Sequence, residues 1–222
     1  MRPVLLTALL PLALAACAQP ADEPAPPAAT PEATQPAAAP AQQSANAGAA
    51  FESVLAGDWR TPEFTERDRY RNPGQTLAFF GLQPNHTVVE ITPGGGWYAE
   101  ILAPYVRDEG RYVAAVVDPE ALPEDRRGYP NRSLASLQAL FKANPAQFDR
   151  AEVVRYDPAA PSFGEPGSAD MVLTFRNVHN WLGSGQAEGM FAGFFEVLRP
   201  GGVLGVVDHR AADGMAEYDD SG

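Results

Sequence analysis

Residues 87–98 constrain the fold more than any other part of this 222-residue chain. β-Branched residues run into Glu90, then into a turn with three consecutive glycines (Gly94, Gly95 and Gly96), and then into a helical pattern. Glycine tolerates positive φ and lets a ligand or a helix approach the backbone closely. A glycine-rich loop before a helix also presents unpaired N–H groups, which suit a polar or anionic ligand. The stretch predicts a strand–loop–helix unit, either as a ligand-binding turn or as a tight turn without a ligand.

Four further strand-like runs follow, alternating with helical patterns or polar connections. Residues 111–117 are almost continuously apolar, as in parallel strands that are covered by helices on both faces. Similar runs occupy residues 151–156, 169–175 and 203–207. This alternation predicts an α/β fold with a doubly wound, mainly parallel sheet.

Polar side chains stand directly after several of these predicted strands. Asp118 follows the second strand, about 20 positions after the glycine turn, where a carboxylate can accept hydrogen bonds from ribose hydroxyls. Asn177 and His179 follow the fourth strand, and His209 follows the fifth. Because open α/β sheets bind ligands at the carboxyl ends of their strands, these residues mark the ligand side. Asn177 is a candidate either to bind substrate or to cap the next helix.

The first 50 residues are predicted to lie outside the folded domain, which we assign to residues 51–222. Residues 1–16 have a positive start and an apolar stretch too short to span a membrane, as in a secretory signal peptide. Residues 17–50 are rich in alanine and proline and bury too little apolar surface to fold, which predicts a disordered tether.

The end of the signal resembles the lipobox of bacterial lipoproteins. It reads Leu14-Ala15-Ala16-Cys17, and this cysteine is the only one in the chain. The resemblance implies cleavage before Cys17 and its lipidation, with an ordinary signal peptide as the alternative. Ala18, in place of aspartate, implies by the sorting rule of that family an outer-membrane anchor facing the periplasm.

Composition excludes several other classes of protein. A formal net charge of −12 argues against a nucleic-acid partner, which would need a basic face. A single cysteine excludes an internal disulfide. Three histidines and one cysteine argue against a zinc site, and we predict no metal. The G-x-S-x-G elbow of many hydrolases does not occur.

The motifs together resemble the class I S-adenosylmethionine-dependent methyltransferases, over roughly residues 73–210. Residues 90–96, Glu-Ile-Thr-Pro-Gly-Gly-Gly, are similar to the acidic-x-Gly-x-Gly-x-Gly loop of that family. Residues 198–204, with Leu-Arg-Pro-Gly-Gly, are similar to its turn before the fifth strand. The chain also resembles a subgroup of methyltransferases known from sequence, with Glu-x-x-Pro-Gly-Gly-Gly-Trp-Tyr and Asn-x-His-Asn-Trp.

The resemblance implies S-adenosyl-L-methionine as cofactor and transfer of its methyl group to a small-molecule substrate. Asp118 then binds the ribose diol, and Asp157 accepts a hydrogen bond from the adenine amino group. His179 and His209 are the candidate bases for a nucleophile that must lose a proton, or are structural histidines. The cofactor-binding residues implied are Glu90, Thr92, Pro93, Gly94, Gly95, Gly96, Asp118, Asp157 and Asn177.

The chain departs from the family pattern at two places. Thr92 replaces the first glycine of the loop, and its Cβ narrows the space beside a ligand. Only 12 residues follow Arg210, so we expect a sheet that lacks the family's last two strands and exposes a hydrophobic edge.

The sequence is also compatible with two other functions. A nicotinamide-dependent dehydrogenase needs a third small residue in its loop, and Ala99 stands at that position. A lipid-anchored, catalytically silent binding protein on the same fold is the second alternative, since S-adenosylmethionine is made in the cytoplasm.

The charged residues 65–73 are either a solvated face or a flap through which Arg69 or Arg71 reaches the ligand.

Overall fold

Five parallel strands form the sheet in the computed structural model, which describes residues 50–210. In chain order the strands are β1 (Thr87–Ile91), β2 (Arg111–Val117), β3 (Glu152–Tyr156), β4 (Ala169–Phe175) and β5 (Leu198–Val207). They lie side by side in the order β3-β2-β1-β4-β5, so the winding reverses between β1 and β4. The predicted doubly wound parallel sheet is confirmed.

Helices cover both faces of this sheet. A helical segment at residues 50–55 comes first. The helices that follow are α1 (Pro62–Thr65), α2 (Asp68–Arg71), α3 (Pro73–Phe79), α4 (Ala99–Val106), α5 (Gly128–Ala143), α6 (Pro145–Phe148), α7 (Val178–Gly183) and α8 (Ala187–Val197). Two 3-10 turns, Pro119–Ala121 and Glu124–Arg126, connect β2 to α5. Within residues 50–210, no helix is long and apolar enough to cross a membrane.

The alternation of side chains along the strands divides the core into two layers. Val88 and Leu173 pack with α4 and α5 on one face. Val89 and Val172 pack with α7 and α8 on the other face. Because helices bury both faces of the central strands, those strands read as continuous apolar runs in the sequence.

β5 lies at one edge of the sheet within the described residues. Its Val203 and Val206 are each 38% exposed, in line with the expected hydrophobic edge. The expectation that two further strands are missing concerns sequence after residue 210, which is outside the described residues. The predicted signal peptide, Cys17 and most of the predicted tether also lie outside the described residues.

Two element boundaries differ from the sequence prediction. The spacing of Leu134, Leu137 and Leu140 in the sequence predicts a helix that begins at Ser133, but α5 begins five residues earlier, at Gly128. Pro130 is tolerated there because the N–H groups of a first helical turn have no partner within the helix. β5 begins at Leu198 rather than Val203: Leu198 pairs with Ala169, and a register shift then absorbs the turn at Gly201. The early start of α5 matters for the site, since it places Tyr129 beside the glycine loop.

Candidate functional site

The carboxyl ends of the strands bring most of the predicted site residues to one edge of the sheet, called the carboxyl edge here. The glycine loop follows β1, and acidic residues follow β2 and β3. Polar residues of the β4–α7 connection and the end of β5 complete this edge. Parallel strands share one direction, so residues distant in sequence converge there. The members are Thr92, Pro93, Gly94, Gly95, Gly96, Asp118, Asp157, Asn177, His179 and His209.

The three glycines of the loop have different structural roles. Gly96 has φ +95°, and a Cβ there would lie 2.7 Å from Leu140 Cδ2, so it allows α5 to pack on the loop. Gly94 also has positive φ, +61°. A Cβ on Gly94 or Gly95 would make only ordinary contacts, at 3.6 Å and 3.8 Å. Gly96 therefore serves helix packing, while Gly94 and Gly95 leave backbone that a ligand can approach.

Thr92 adopts a backbone conformation that is rare for a β-branched residue. Its φ is +52°, and its N–H donates to the carbonyl of Ala115 at 2.8 Å. Its hydroxyl is 2.8 Å from the hydroxyl of Tyr156, whose pKa is raised by burial to about 12. Strained backbone of this kind concentrates at functional sites. The Thr92 hydroxyl is held by Tyr156, so a ligand would have to share it.

Glu90 lies beneath the loop rather than at the carboxyl edge. Its side chain is 2% exposed, and its Oε2 accepts a hydrogen bond of 2.6 Å from the Tyr112 hydroxyl. Burial raises the pKa of Glu90 to about 7, against the lowering effect of the Tyr112 hydrogen bond. In this structure the partner of Glu90 is therefore Tyr112, and the residue supports the loop from within the core.

Asp118 and Asp157 present carboxylates at the ends of β2 and β3. Asp118 Oδ1 accepts from the Glu120 N–H at 3.2 Å and lies 3.8 Å from Arg155 Nη1. Among residues 50–210, nothing donates a hydrogen bond to Asp118 Oδ2, and the side chain is 33% exposed. Asp157 is exposed and accepts from the Ala159 N–H at 2.8 Å. Both carboxylates keep acceptor capacity for a ligand.

The space beside the loop is small in this conformation. A cavity of about 20 Å³ is lined by Thr92, Val117, Tyr129 and neighbouring residues. Ligand pockets are typically about 300–1,000 Å³. Tyr129 is 60% exposed and its hydroxyl lies beside Gly94, so rotation of this side chain enlarges the space. A nucleoside-sized ligand would therefore need the Tyr129 side chain to rotate away from the loop.

A larger cavity of about 710 Å³ lies at the opposite edge of the sheet. Gln83 and His86, which line it, precede β1 and so mark the amino ends of the strands. Open α/β sheets bind ligands at the carboxyl ends. The volume of a cavity does not by itself identify the ligand site in this fold, so we place the candidate site at the carboxyl edge.

The segment before α3 packs over the glycine loop. The indole N–H of Trp97 donates to the carbonyl of Phe64 at 2.8 Å. The indole of Trp59 donates to the carbonyl of Glu100 at 3.0 Å. The Arg71 guanidinium lies 4.6 Å from the centre of the Trp97 ring. These contacts fix the segment against Trp97 and the start of α4, and Arg71 of the charged stretch lies over the Trp97 ring.

Asn177 bridges two neighbouring strands. Its side-chain amide donates to the carbonyl of Ile91 at 3.1 Å and to the Thr174 hydroxyl at 3.1 Å. It makes no side-chain cap of α7. Asn177 occupies the N-cap position of α7, so only the side-chain capping bond is absent. Its side-chain contacts instead join the end of β1 to the end of β4.

The two candidate bases lie together. His179 Nδ1 is 2.8 Å from Asp208 Oδ1, and the ring centres of His179 and His209 are 5.0 Å apart. Burial alone would raise the pKa of Asp208, but hydrogen bonds from the His209 backbone and the His179 ring lower it overall. Arg176, at φ +61°, donates from Nε to His209 Nε2 at 3.2 Å.

Sequence reasoning selected both histidines but missed Arg176, Asp208 and Tyr129. Arg176 and Asp208 also follow strand ends, and this position was the available signal. β4 and β5 are neighbours in the sheet, which brings the residues after them together. Tyr129 was missed because the start of α5 was placed too late.

The fold is similar to solved methyltransferase structures, whereas no protein-family model and no curated protein sequence matches the chain. One of these structures is a SAM-dependent methyltransferase from Aquifex aeolicus, which is 16% identical in sequence. The alignment covers 78% of this chain and 79% of that chain, with a TM-score of 0.54. A glycopeptide N-methyltransferase complexed with sinefungin follows, at 19% identity, 60% and 50% coverage and TM-score 0.44. An arsenic(III) S-adenosylmethionine methyltransferase from Chlamydomonas reinhardtii has 17% identity, 70% and 47% coverage and TM-score 0.43. The similarity to the Aquifex aeolicus structure confirms the Rossmann-like methyltransferase fold.

Proposed function

We propose that the chain is an S-adenosyl-L-methionine-dependent methyltransferase that acts on a small-molecule substrate at the carboxyl edge. The observation that carries the proposal is the pairing of the loop after β1 with Asp118 at the end of the adjacent β2. The loop offers approachable backbone at Gly94 and Gly95. Asp118 offers a partly exposed carboxylate, one oxygen of which accepts no hydrogen bond from residues 50–210. Together they suit a ligand with a polar end and a ribose.

Each part of the cofactor has candidate partners among the residues at this edge. Asp118 would accept hydrogen bonds from the ribose hydroxyls, and the exposed carboxylate of Asp157 would accept one from the adenine amino group. The loop would hold the methionine end, once Tyr129 has rotated away. The bound cofactor supplies a methyl group on a sulfonium sulfur that is already electrophilic. The main work of the chain is then to align the substrate for in-line displacement.

A substrate nucleophile that carries a proton needs an acceptor for it. His179 and His209 are the candidates, since both lie after strand ends at the carboxyl edge. Asp208 binds Nδ1 of His179, which leaves Nε2 of this half-exposed ring available to a substrate. Amines that bind as the free base would need no such residue.

We expect Asp118→Ala to weaken binding of S-adenosylhomocysteine by about 10–100-fold, because hydrogen bonds to a charged group contribute about 1.5–3 kcal/mol. Isothermal titration calorimetry on the full chain measures this. To avoid thiol chemistry, all proteins carry Cys17→Ser. Asp125→Ala, in the exposed Glu124–Arg126 turn, is the matched control and should bind like the parent. Equal affinities for Asp118→Ala and the parent would contradict the assignment of the ribose site.

For the location, we propose a lipid anchor on Cys17 that holds the domain at the outer membrane, facing the periplasm. The lipobox-like residues before Cys17 motivate this. Cys17→Ser is expected to move the protein from the membrane fraction to the soluble fraction of cells, because stable anchoring depends on the acyl chains. Fractionation followed by immunoblotting measures the change. An unchanged membrane fraction would reject the lipid anchor.

A further inference from the structure

We infer that His179, Asp208 and His209 form a binding site for one divalent first-row transition-metal ion. Each residue offers one ligand atom, and these three atoms lie within 4.8 Å of one another. The site goes beyond the proposed methyl transfer, and its occupancy does not depend on that reaction. It uses the two histidines named above as candidate bases, and a ring nitrogen that binds the metal cannot also accept a proton, so the two roles are alternatives. It also departs from the sequence expectation that the chain binds no metal.

The donor set matches the preferences of these ions. Imidazole suits zinc, copper, iron and nickel, and two histidines with one carboxylate are a recurring ligand set for such metals. Zinc sites with three protein ligands keep a further position open for water or substrate, whereas structural zinc sites are closed by four. Three ligands at a partly exposed edge therefore predict an open site rather than a structural one.

The spacing of the ligand atoms requires only small movements. Zinc bonds to nitrogen and oxygen of about 2.0–2.2 Å place tetrahedral ligand atoms about 3.3–3.6 Å apart. The pairs of ligand atoms that are up to 4.8 Å apart reach that separation by rotation of exposed side chains. His179 Nδ1 is already closer, at 2.8 Å from Asp208 Oδ1, so the His179 ring has to move away from Asp208 or bind the metal through Nε2. The His179 side chain is 42% exposed, so its ring has room to rotate when the contact of Nδ1 with Asp208 is broken.

Asp208 is already fixed in position by hydrogen bonds. Its Oδ2 accepts from the backbone N–H of Val178 at 2.7 Å, and its Oδ1 accepts from the backbone N–H of His209 at 2.7 Å. The side chain is only 17% exposed. Such outer contacts orient a carboxylate ligand and reduce the entropy lost when it binds a metal.

Arg176 is the competitor of the metal at this site. Its Nε–H donates to His209 Nε2 at 3.2 Å, so this nitrogen carries a lone pair, as in the neutral imidazole that binds metals. A metal ion at Nε2 has to displace the guanidinium. Arg176 is held at φ +61°, in the left-handed region, which is unusual for a residue of this size. The guanidinium occupies the lone pair of His209 Nε2 and repels a cation, so removing its positive charge should strengthen metal binding.

The sequence does not indicate this site, because its ligands come from two separate connections between elements. His179 lies in α7 after β4, and Asp208 and His209 lie after β5. No short metal-ligand spacing links them. The parallel pairing of β4 with β5 brings the two connections together.

The test titrates zinc chloride into the metal-free full chain carrying Cys17→Ser, followed by isothermal titration calorimetry. We expect one zinc ion per chain in the parent. His179→Ala and His209→Ala should each weaken binding by about tenfold or more. His86→Ala is the matched control, since His86 precedes β1 at the opposite edge of the sheet and should leave the affinity unchanged. Arg176→Gln should bind zinc more tightly than the parent.

Cobalt(II) absorption in the visible range provides a second readout on the same proteins. Bands that appear in the parent and in His86→Ala, and are lost in His179→Ala, would place the metal at this cluster. Thermal unfolding of each metal-free variant checks that it is folded. Absence of zinc binding in the parent would overturn the inference, as would a loss in His86→Ala equal to that in His179→Ala.

Discussion

Gly96→Ala is expected to lower the free energy of unfolding by about 2–6 kcal/mol. Two costs combine at this position. A non-glycine residue at φ +95° adds strain of about 1–3 kcal/mol. The new methyl group would also meet Leu140 Cδ2 at 2.7 Å and Leu137 Cδ1 at 3.2 Å, and overpacking of a core typically costs about 1–3 kcal/mol.

Gly81→Ala is the matched control for Gly96→Ala. Gly81 also has positive φ, +77°, but a Cβ there would have no neighbour within 4 Å. It should lose only the strain cost, about 1–3 kcal/mol. Urea denaturation followed by tryptophan fluorescence gives both values. Equal losses in the two variants would show that α5 does not pack on the loop as described.

Glu90→Gln is expected to stabilise the protein at pH 8 and to have little effect at pH 5. The pKa of Glu90 is raised by burial from an ordinary 4.5 to about 7 in the folded state. Between pH 4.5 and about pH 7, Glu90 is protonated in the folded state but ionised in the unfolded state. The free energy of unfolding therefore falls as the pH rises through this range. At about 1.4 kcal/mol per pKa unit, the loss reaches about 3 kcal/mol above pH 7. Glutamine mimics the neutral carboxyl at every pH and removes this loss.

Urea denaturation of the parent and of Glu90→Gln at pH 5 and pH 8 measures the effect. The difference between them should grow from below about 1 kcal/mol at pH 5 to about 3 kcal/mol at pH 8, in favour of the variant. Glu63→Gln, on the exposed face of α1, is the control and should follow the parent at both pH values. Parallel pH profiles for Glu90→Gln and the parent would contradict the burial of an ionisable carboxyl under the loop.

The sheet was predictable because its strands are short apolar runs bounded by polar or glycine-rich turns. The second run, residues 111–117, and the fourth, residues 169–175, match β2 and β4 at both ends. Burial on both faces leaves a strong apolar signal in such strands. β5 was harder: its first residues pair with β4 across Pro200 and Gly201, which read as a turn in the sequence.

The site was only partly predictable, because it depends on which strands are neighbours. Asp118 and His179 were selected by their position after strand ends. That rule shows which side of a sheet binds ligands but not which side chains meet there. Thus Glu90, selected by resemblance, lies in the core against Tyr112, and Asp208, not selected, binds His179. Contacts of this kind are set by tertiary packing, which a single sequence does not encode locally.

The central claim is that the loop after β1 and Asp118 bind S-adenosylmethionine. Titration of the full chain with this cofactor, by calorimetry and by thermal unfolding, tests the claim most directly. We predict saturable binding of one molecule per chain and a higher melting temperature, since a ligand that binds only the folded state stabilises it. No heat and no thermal shift at millimolar cofactor would contradict the claim.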